Sequence, residues 1–103
     1  MLFTRTLNAG GVAGIGSVSC PSPGNCSTGG SYRDSSGNQQ VFVVSEVNGT
    51  WGTAIEVPGT AALNTGGNAA VNSVSCAAAS NCSAGGYYHD SSGHQQAFVA
   101  SEP

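Results

Sequence analysis

The sequence predicts an all-β protein built from antiparallel four-stranded meanders, and three observations carry that reading. The segment from Ser17 to Glu46 returns as Ser73 to Glu102 at an offset of 56 residues, without a gap and with 20 of 30 paired positions identical. A fixed period of this size marks one supersecondary unit used more than once. The apolar residues fall in short β-prone runs, divided by clusters of Pro, Gly, Asn, Asp and Ser that punctuate strands. No window holds the 3.6-residue periodicity of an amphipathic helix.

Taken in order, residues 4–14 read as a connector, rich in Gly and Ala towards its end, and residues 60–70 repeat it. A strand is expected over Ile15–Cys20 and again over Val71–Cys76. Pro21-Ser22-Pro23-Gly24 then reverses the chain, since Pro presets φ and Gly permits the return; the second copy turns on Ala77–Ser80 without proline. The next strands, Asn25–Tyr32 and Asn81–Tyr88, alternate, with Cys26, Thr28, Gly30 and Tyr32 on one face and Ser27, Gly29 and Ser31 on the other. Glycine pairs inside a strand, Gly29-Gly30 and Gly85-Gly86, weaken it and mark a bulge or the close approach of another backbone, which suggests tightly packed sheets. Asp34-Ser35-Ser36-Gly37 and Asp90-Ser91-Ser92-Gly93 are turns in which the Asp side chain caps the backbone.

The third strand, Gln39–Glu46, carries Val41 and Val43 on one face and Phe42 and Val44 on the other, and Ala97–Ala100 repeats the pattern. Apolar residues on both faces imply a strand covered on both sides. Asn48-Gly49 is a strong hairpin signal. The fourth strand, Thr50–Val57, is expected to set Trp51, Thr53, Ile55 and Val57 against Thr50, Gly52, Ala54 and Glu56, and Pro58-Gly59 ends it. The chain thus divides into a repeat over residues 1–56 and a second over 57–103 that lacks a counterpart of Asn48–Val57.

A meander that is apolar on both faces must stack on copies of itself, and radial stacking yields a β-propeller. The chain resembles the secreted β-propeller-like repeats of actinobacteria through Ser17–Cys20, Cys26, Gly30–Tyr32, Ser35–Gly37 and Gly49–Trp51, all but the last recurring in Ser73–Gly93. The resemblance spans nearly the whole chain and implies propeller blades in a secreted parent protein. Two blades leave two apolar faces open, and stacked repeats generally need about three copies for stability. The expected partner is therefore the chain itself, as a homo-oligomer of two to four chains with a trimeric or tetrameric ring favoured. Leu2–Leu7 is a candidate for completing the second blade. Residues 1–8 align with Val57–Asn64 and hold no signal peptide. Met1 then reads as a start placed inside a repeat unit, as in an excised or engineered piece of a longer protein.

Composition narrows the function. Charged residues are 7% of the chain against roughly 25% in an average soluble domain. With a net charge of -3 and only Arg5 and Arg33 as strong bases, the chain lacks the clustered cations that nucleic acid or an anionic membrane surface requires. No apolar run approaches the length of a membrane span. The repeat pairs Cys20 with Cys26 and Cys76 with Cys82, because equivalent units should bond equivalently. Each such bridge stabilises by about 2.4 kcal/mol on the chain-entropy model and points to an extracellular setting. The alternative, zinc held by four thiolates, usually has two to four residues within each pair, and here there are five.

His89 and Asp90 invite a base-and-partner reading, yet Arg33 and Asn38 hold the positions of His89 and His94 in the first copy. No catalytic residue, metal ligand or cofactor is therefore assigned. Trp51, Tyr32, Tyr87 and Tyr88 are the candidate ligand-binding residues, able to stack on sugar rings but equally suited to core and interface filling. The expectation is a non-enzymatic extracellular module that assembles into a ring, structural or adhesive in role, with a carbohydrate-binding propeller as the alternative.

Overall fold

In a computed structural model, which describes residues 10–57, 59–78 and 81–101, each copy of the repeat forms its own antiparallel sheet. The first contains β1 (Ala13–Ser22), β2 (Asn25–Arg33) and β3 (Gln39–Val47), with β4 (Thr50–Trp51) and β5 (Ile55–Glu56) both paired to the outer edge of β3. The second contains β6 (Ala70–Ala78), β7 (Asn81–His89) and β8 (Gln95–Ser101), in that order. The all-β, antiparallel class read from the sequence is the class observed. Between the sheets the connector includes a single helical turn, α1 (Thr60–Leu63), too short for any periodicity to announce. The first connector's residues 4–9 and the candidate strand Leu2–Leu7 lie outside the described residues.

Local chemistry sets the turns. Asp34 Oδ1 accepts from the backbone N–H of Ser36 at 2.9 Å and of Asn38 at 3.0 Å. Asp90 Oδ1 does the same for Ser92 at 3.0 Å and His94 at 2.9 Å. Asn48 and Gly49 both adopt positive φ, 51° and 84°, as a tight two-residue hairpin requires. The pairing of β1 with β2 shifts between Ile15 and Ser17, and that of β6 with β7 shifts at the equivalent place, between Val71 and Ser73.

The fourth strand departs from its expected form. It is broken into β4 and β5: Trp51 and Ile55 are four positions apart, whereas their partners Glu46 and Val43 are three apart. That extra residue is a bulge, and one inserted residue exchanges the faces beyond it. Trp51 and Ala54 consequently share one apolar cluster while Val57 belongs to the other. Uninterrupted alternation had set Trp51, Ile55 and Val57 together.

The two sheets pack face to face. Val41 of β3 and Val57, just beyond β5, join Ala69, Val71, Val74 and Ala84 in one buried cluster, with Val43, Phe98 and Ala100 against it. On the opposite face of the first sheet Tyr32, Phe42, Val44 and Ala54 form a second cluster, with Trp51 against it. Val41 and Phe42 are neighbours in sequence on opposite faces, and both are fully buried, so β3 is covered on both sides.

Candidate functional site

The most informative surface is the contact between the sheets, because the chain contains it once and also carries both of its halves again. On the first sheet, Gly29 faces Val71 so closely that a Cβ at position 29 would lie 2.8 Å from Val71 Cγ1. The tight packing expected at the glycine pair is present, although what approaches Gly29 is a side chain rather than a backbone. Ser17 and Ser19 reach across from β1, and their hydroxyl oxygens accept from the backbone N–H of Val74 at 3.1 Å and of Cys76 at 3.2 Å. These bonds satisfy donors on the exposed side of β6, where a strand edge would otherwise leave them to water.

Asn64 ties the connector to both sheets. It is 2% exposed, and its Nδ2 donates to Gln39 O at 2.7 Å and to Gln40 Oε1 at 3.2 Å. Its Oδ1 accepts from the backbone N–H of Asn68 and of His89, each at 3.2 Å. Gln39 adds its own bonds across the seam, from its N–H to Gly67 O at 2.8 Å and from Nε2 to Ala69 O at 2.7 Å. A buried amide with every group paired fixes one arrangement of the two sheets. The sequence reading overlooked Asn64. The available signal was the recurrence of Leu7-Asn8-Ala9-Gly10-Gly11 as Leu63-Asn64-Thr65-Gly66-Gly67.

The outward faces repeat the same chemistry. Ile15 and Val18 stand where Val71 and Val74 stand in the second copy, and are 56% and 57% exposed. Val99 occupies the place of Val43 and is 88% exposed. Ser73 and Ser75, counterparts of Ser17 and Ser19, are exposed on β6. A Cβ at Gly85, the counterpart of Gly29, would meet only Phe98 and Val99 of its own sheet, at 3.8 Å.

Both predicted disulfides are formed, Cys20–Cys26 and Cys76–Cys82, each with Cα atoms 4.0 Å apart. Each closes the turn between the first two strands of its sheet. Such bridges are compatible with an extracellular protein. Among the described residues no three His, Cys, Asp or Glu side chains converge as a metal site, and no helix is long and apolar enough to cross a membrane.

The four candidate aromatics are not gathered in one place. Tyr32 is buried beside Phe42, with Trp51 against the same cluster. Tyr88 packs against the inter-sheet core. The rings of Tyr87 and His89 stand nearly perpendicular, at 87°, with centroids 5.7 Å apart. The Tyr32 hydroxyl donates to Glu56 Oε2 at 2.7 Å. Burial, followed by this carboxylate partner, pushes the phenol well above its ordinary pKa.

His89 and Asp90 also serve the backbone. His89 Nδ1 lies 2.9 Å from Asn68 O. Asp90 Oδ2 accepts from Gln96 Nε2 at 2.9 Å, and that bond, with the turn N–H groups, holds its carboxyl below the usual range. Asp34 is lowered in the same way, first by Gln40 and then by the N–H groups of its turn.

Comparison with protein-family models, with curated proteins and with solved structures returns no match.

Proposed function

We propose that the chain is a non-enzymatic extracellular repeat module whose two sheets are β-propeller blades, and that it assembles with copies of itself into a closed ring of three or four chains. The supporting observation is that the internal contact recurs as two open halves. Val99, Gly85, Ser73 and Ser75 on the outer face of the second sheet correspond to Val43, Gly29, Ser17 and Ser19. Their natural complement is the face of β1 that carries Ile15 and Val18. Such a head-to-tail contact is heterologous, so it closes into a ring when the rotation per unit permits. Three chains provide six blades and four provide eight, within the usual propeller range of about four to eight. Resemblance to secreted propeller-like repeats and the two disulfides agree with an extracellular role, structural or adhesive.

Light scattering on the oxidised protein tests this reading. The mass should be three or four times that of the chain. Gly85→Val, which places a side chain on the open face, should return it to a monomer with its strand signal in circular dichroism intact. A wild-type monomer at tens of micromolar, or a Gly85→Val variant that assembles like wild type, overturns the ring. Carbohydrate binding is the competing reading. Saturable signal on a glycan array, lost on Trp51→Ala with the mass unchanged, would favour it.

A further inference from the structure

The outer edge of β8 and the cleft beside it carry an inference about a partner strand. In the first sheet the equivalent edge of β3 is occupied, with Trp51 opposite Glu46 and Ile55 opposite Val43. The carbonyls of Ser45 and Val41 accept from the N–H of Gly52 at 2.9 Å and of Val57 at 3.0 Å. Trp51 and Ala54 cover Phe42 and Val44, and Glu56 takes the hydroxyl of Tyr32.

The receiving positions recur in the second sheet. Ala97 and Ser101 replace Val41 and Ser45, Phe98 and Ala100 replace Phe42 and Val44, and Tyr88 replaces Tyr32. Among the described residues, however, nothing pairs with the outer edge of β8. A cleft of about 380 Å³ opens between the sheets there, walled by Ala84 and Ala100 on one side and by Val43, Ile55 and Val57 on the other. That is the size of a pocket for a compact organic group, roughly 300–1,000 Å³, and serine and threonine residues, Ser27, Thr28, Ser45, Thr53, Ser83 and Ser101, intersperse its aliphatic walls.

We propose that this edge and cleft are a docking site for an extended strand with the chemistry of residues 48–57 of this same chain. The strand adds to β8 by main-chain hydrogen bonds, the mode in which an exposed sheet edge captures a peptide. Its indole enters the cleft over Ala100, its alanine three residues later lies on Phe98, and its carboxylate reaches Tyr88. The first sheet shows the register: isoleucine opposite Val99 and glutamate opposite Phe98, as Ile55 and Glu56 stand opposite Val43 and Phe42. Ala100 in place of Val44 leaves more room for the ring than the first sheet does. The site uses neither Gly85 nor Ile15, so it does not require the ring proposed above.

The test is titration of a synthetic peptide with the sequence of Asn48–Val57 into the oxidised, isotope-labelled full chain. Saturable amide shifts are expected at Ala97–Ser101, together with new protection from hydrogen exchange on β8. The peptide carrying Trp51→Ala should bind at least ten-fold more weakly. Ala100→Trp in the protein, which fills the cleft from within, should weaken binding of the unaltered peptide by a similar factor. Should that variant lose its spectral dispersion, the Glu56→Gln peptide against wild-type and Tyr88→Phe protein reads the carboxylate contact instead; weakening of binding by Glu56→Gln only when Tyr88 is present is expected. No saturation at millimolar peptide, equal binding of the Trp51→Ala peptide, or shifts confined to β1 overturns the site. A monomer that binds the peptide removes the ring and keeps the site, and an assembled chain that ignores it does the reverse.

Discussion

Val43 and Val99 occupy the same place in two copies of one unit, yet Val43 is half-buried against the second sheet and Val99 is 88% exposed. Gly29 and Gly85 repeat the contrast, the first pressed against Val71 and the second meeting only its own sheet. The paired residues are identical in type, and beside the valines Val41 and Val44 are exchanged only for the apolar Ala97 and Ala100. The first sheet has a neighbour on that side and, among the described residues, the second has none. Burial in a repeat protein is a property of the stack rather than of the unit, as nearest-neighbour accounts of such proteins hold. The first sheet thus displays the contact that the proposed assembly would give the second.

Breaking the join should have the largest effect. Asn64→Ala removes both the donor to Gln39 O and the acceptor for His89 N–H and takes a partner from part-buried backbone groups of Gln39, Asn68 and His89 and from the buried Gln40 side chain. At roughly 1–3 kcal/mol for each stranded group, a loss of about 3 kcal/mol is expected, a large share of a small domain's stability. Urea unfolding with intact disulfides measures it. A change under 1 kcal/mol would mean that water replaces the amide and that the seam is held by the apolar cluster alone.

Much of this architecture was legible in the chain. The strands followed from apolar runs between Gly, Asp and Pro signals, the bridges from the repeat, and the close approach at Gly29 from paired glycines inside a strand. The bulge between Trp51 and Ile55 was not legible, because a one-residue insertion is visible only against the partner strand, and Thr50–Val57 alternates acceptably without it. Asn64 was missed because a polar residue in a Gly-rich connector resembles any loop asparagine; beyond its recurrence as Asn8, its burial at 2% is what separates it. The exposure of Val99 was beyond reach for a different reason. Alternation reports that both faces of a strand are apolar, not whether a neighbour is there to cover them.

A matched pair of substitutions sharpens the comparison at smaller cost. Gly29→Val forces a branched side chain against Val71, and overpacking of this kind costs about 1–3 kcal/mol. Gly85→Val puts the same side chain at the same place in the second sheet, where the nearest contacts are ordinary ones at 3.8 Å. At concentrations too low for assembly it should leave the chain's stability within about 0.5 kcal/mol of wild type. Thermal unfolding of both variants provides the difference. Equal destabilisation would show that these glycines serve the strand itself, and the contrast between the sheets would lose its physical basis.

The smallest effect is expected where the two copies agree. Asp34 and Asp90 cap equivalent turns and accept equivalent glutamine side chains at 3.1 and 2.9 Å, and both carboxyls lie below their ordinary pKa of 3.8. A carboxyl whose pKa is lowered by folding binds fewer protons in the folded chain than in the unfolded one at acid pH, so stability falls as pH falls. The contribution is complete above the ordinary value of 3.8, erodes below it, and is gone once pH drops beneath the lowered pKa. Asp34→Asn and Asp90→Asn should each remove part of this acid dependence, by similar small amounts because both turns are open to solvent, and the double variant should remove the sum. Unfolding midpoints between pH 2 and 6 report it. If Asp34→Asn alone flattened the profile, the two turns would differ in a way their shared hydrogen bonds do not explain, and the equivalence on which the reading of the second sheet depends would fail at its most similar point.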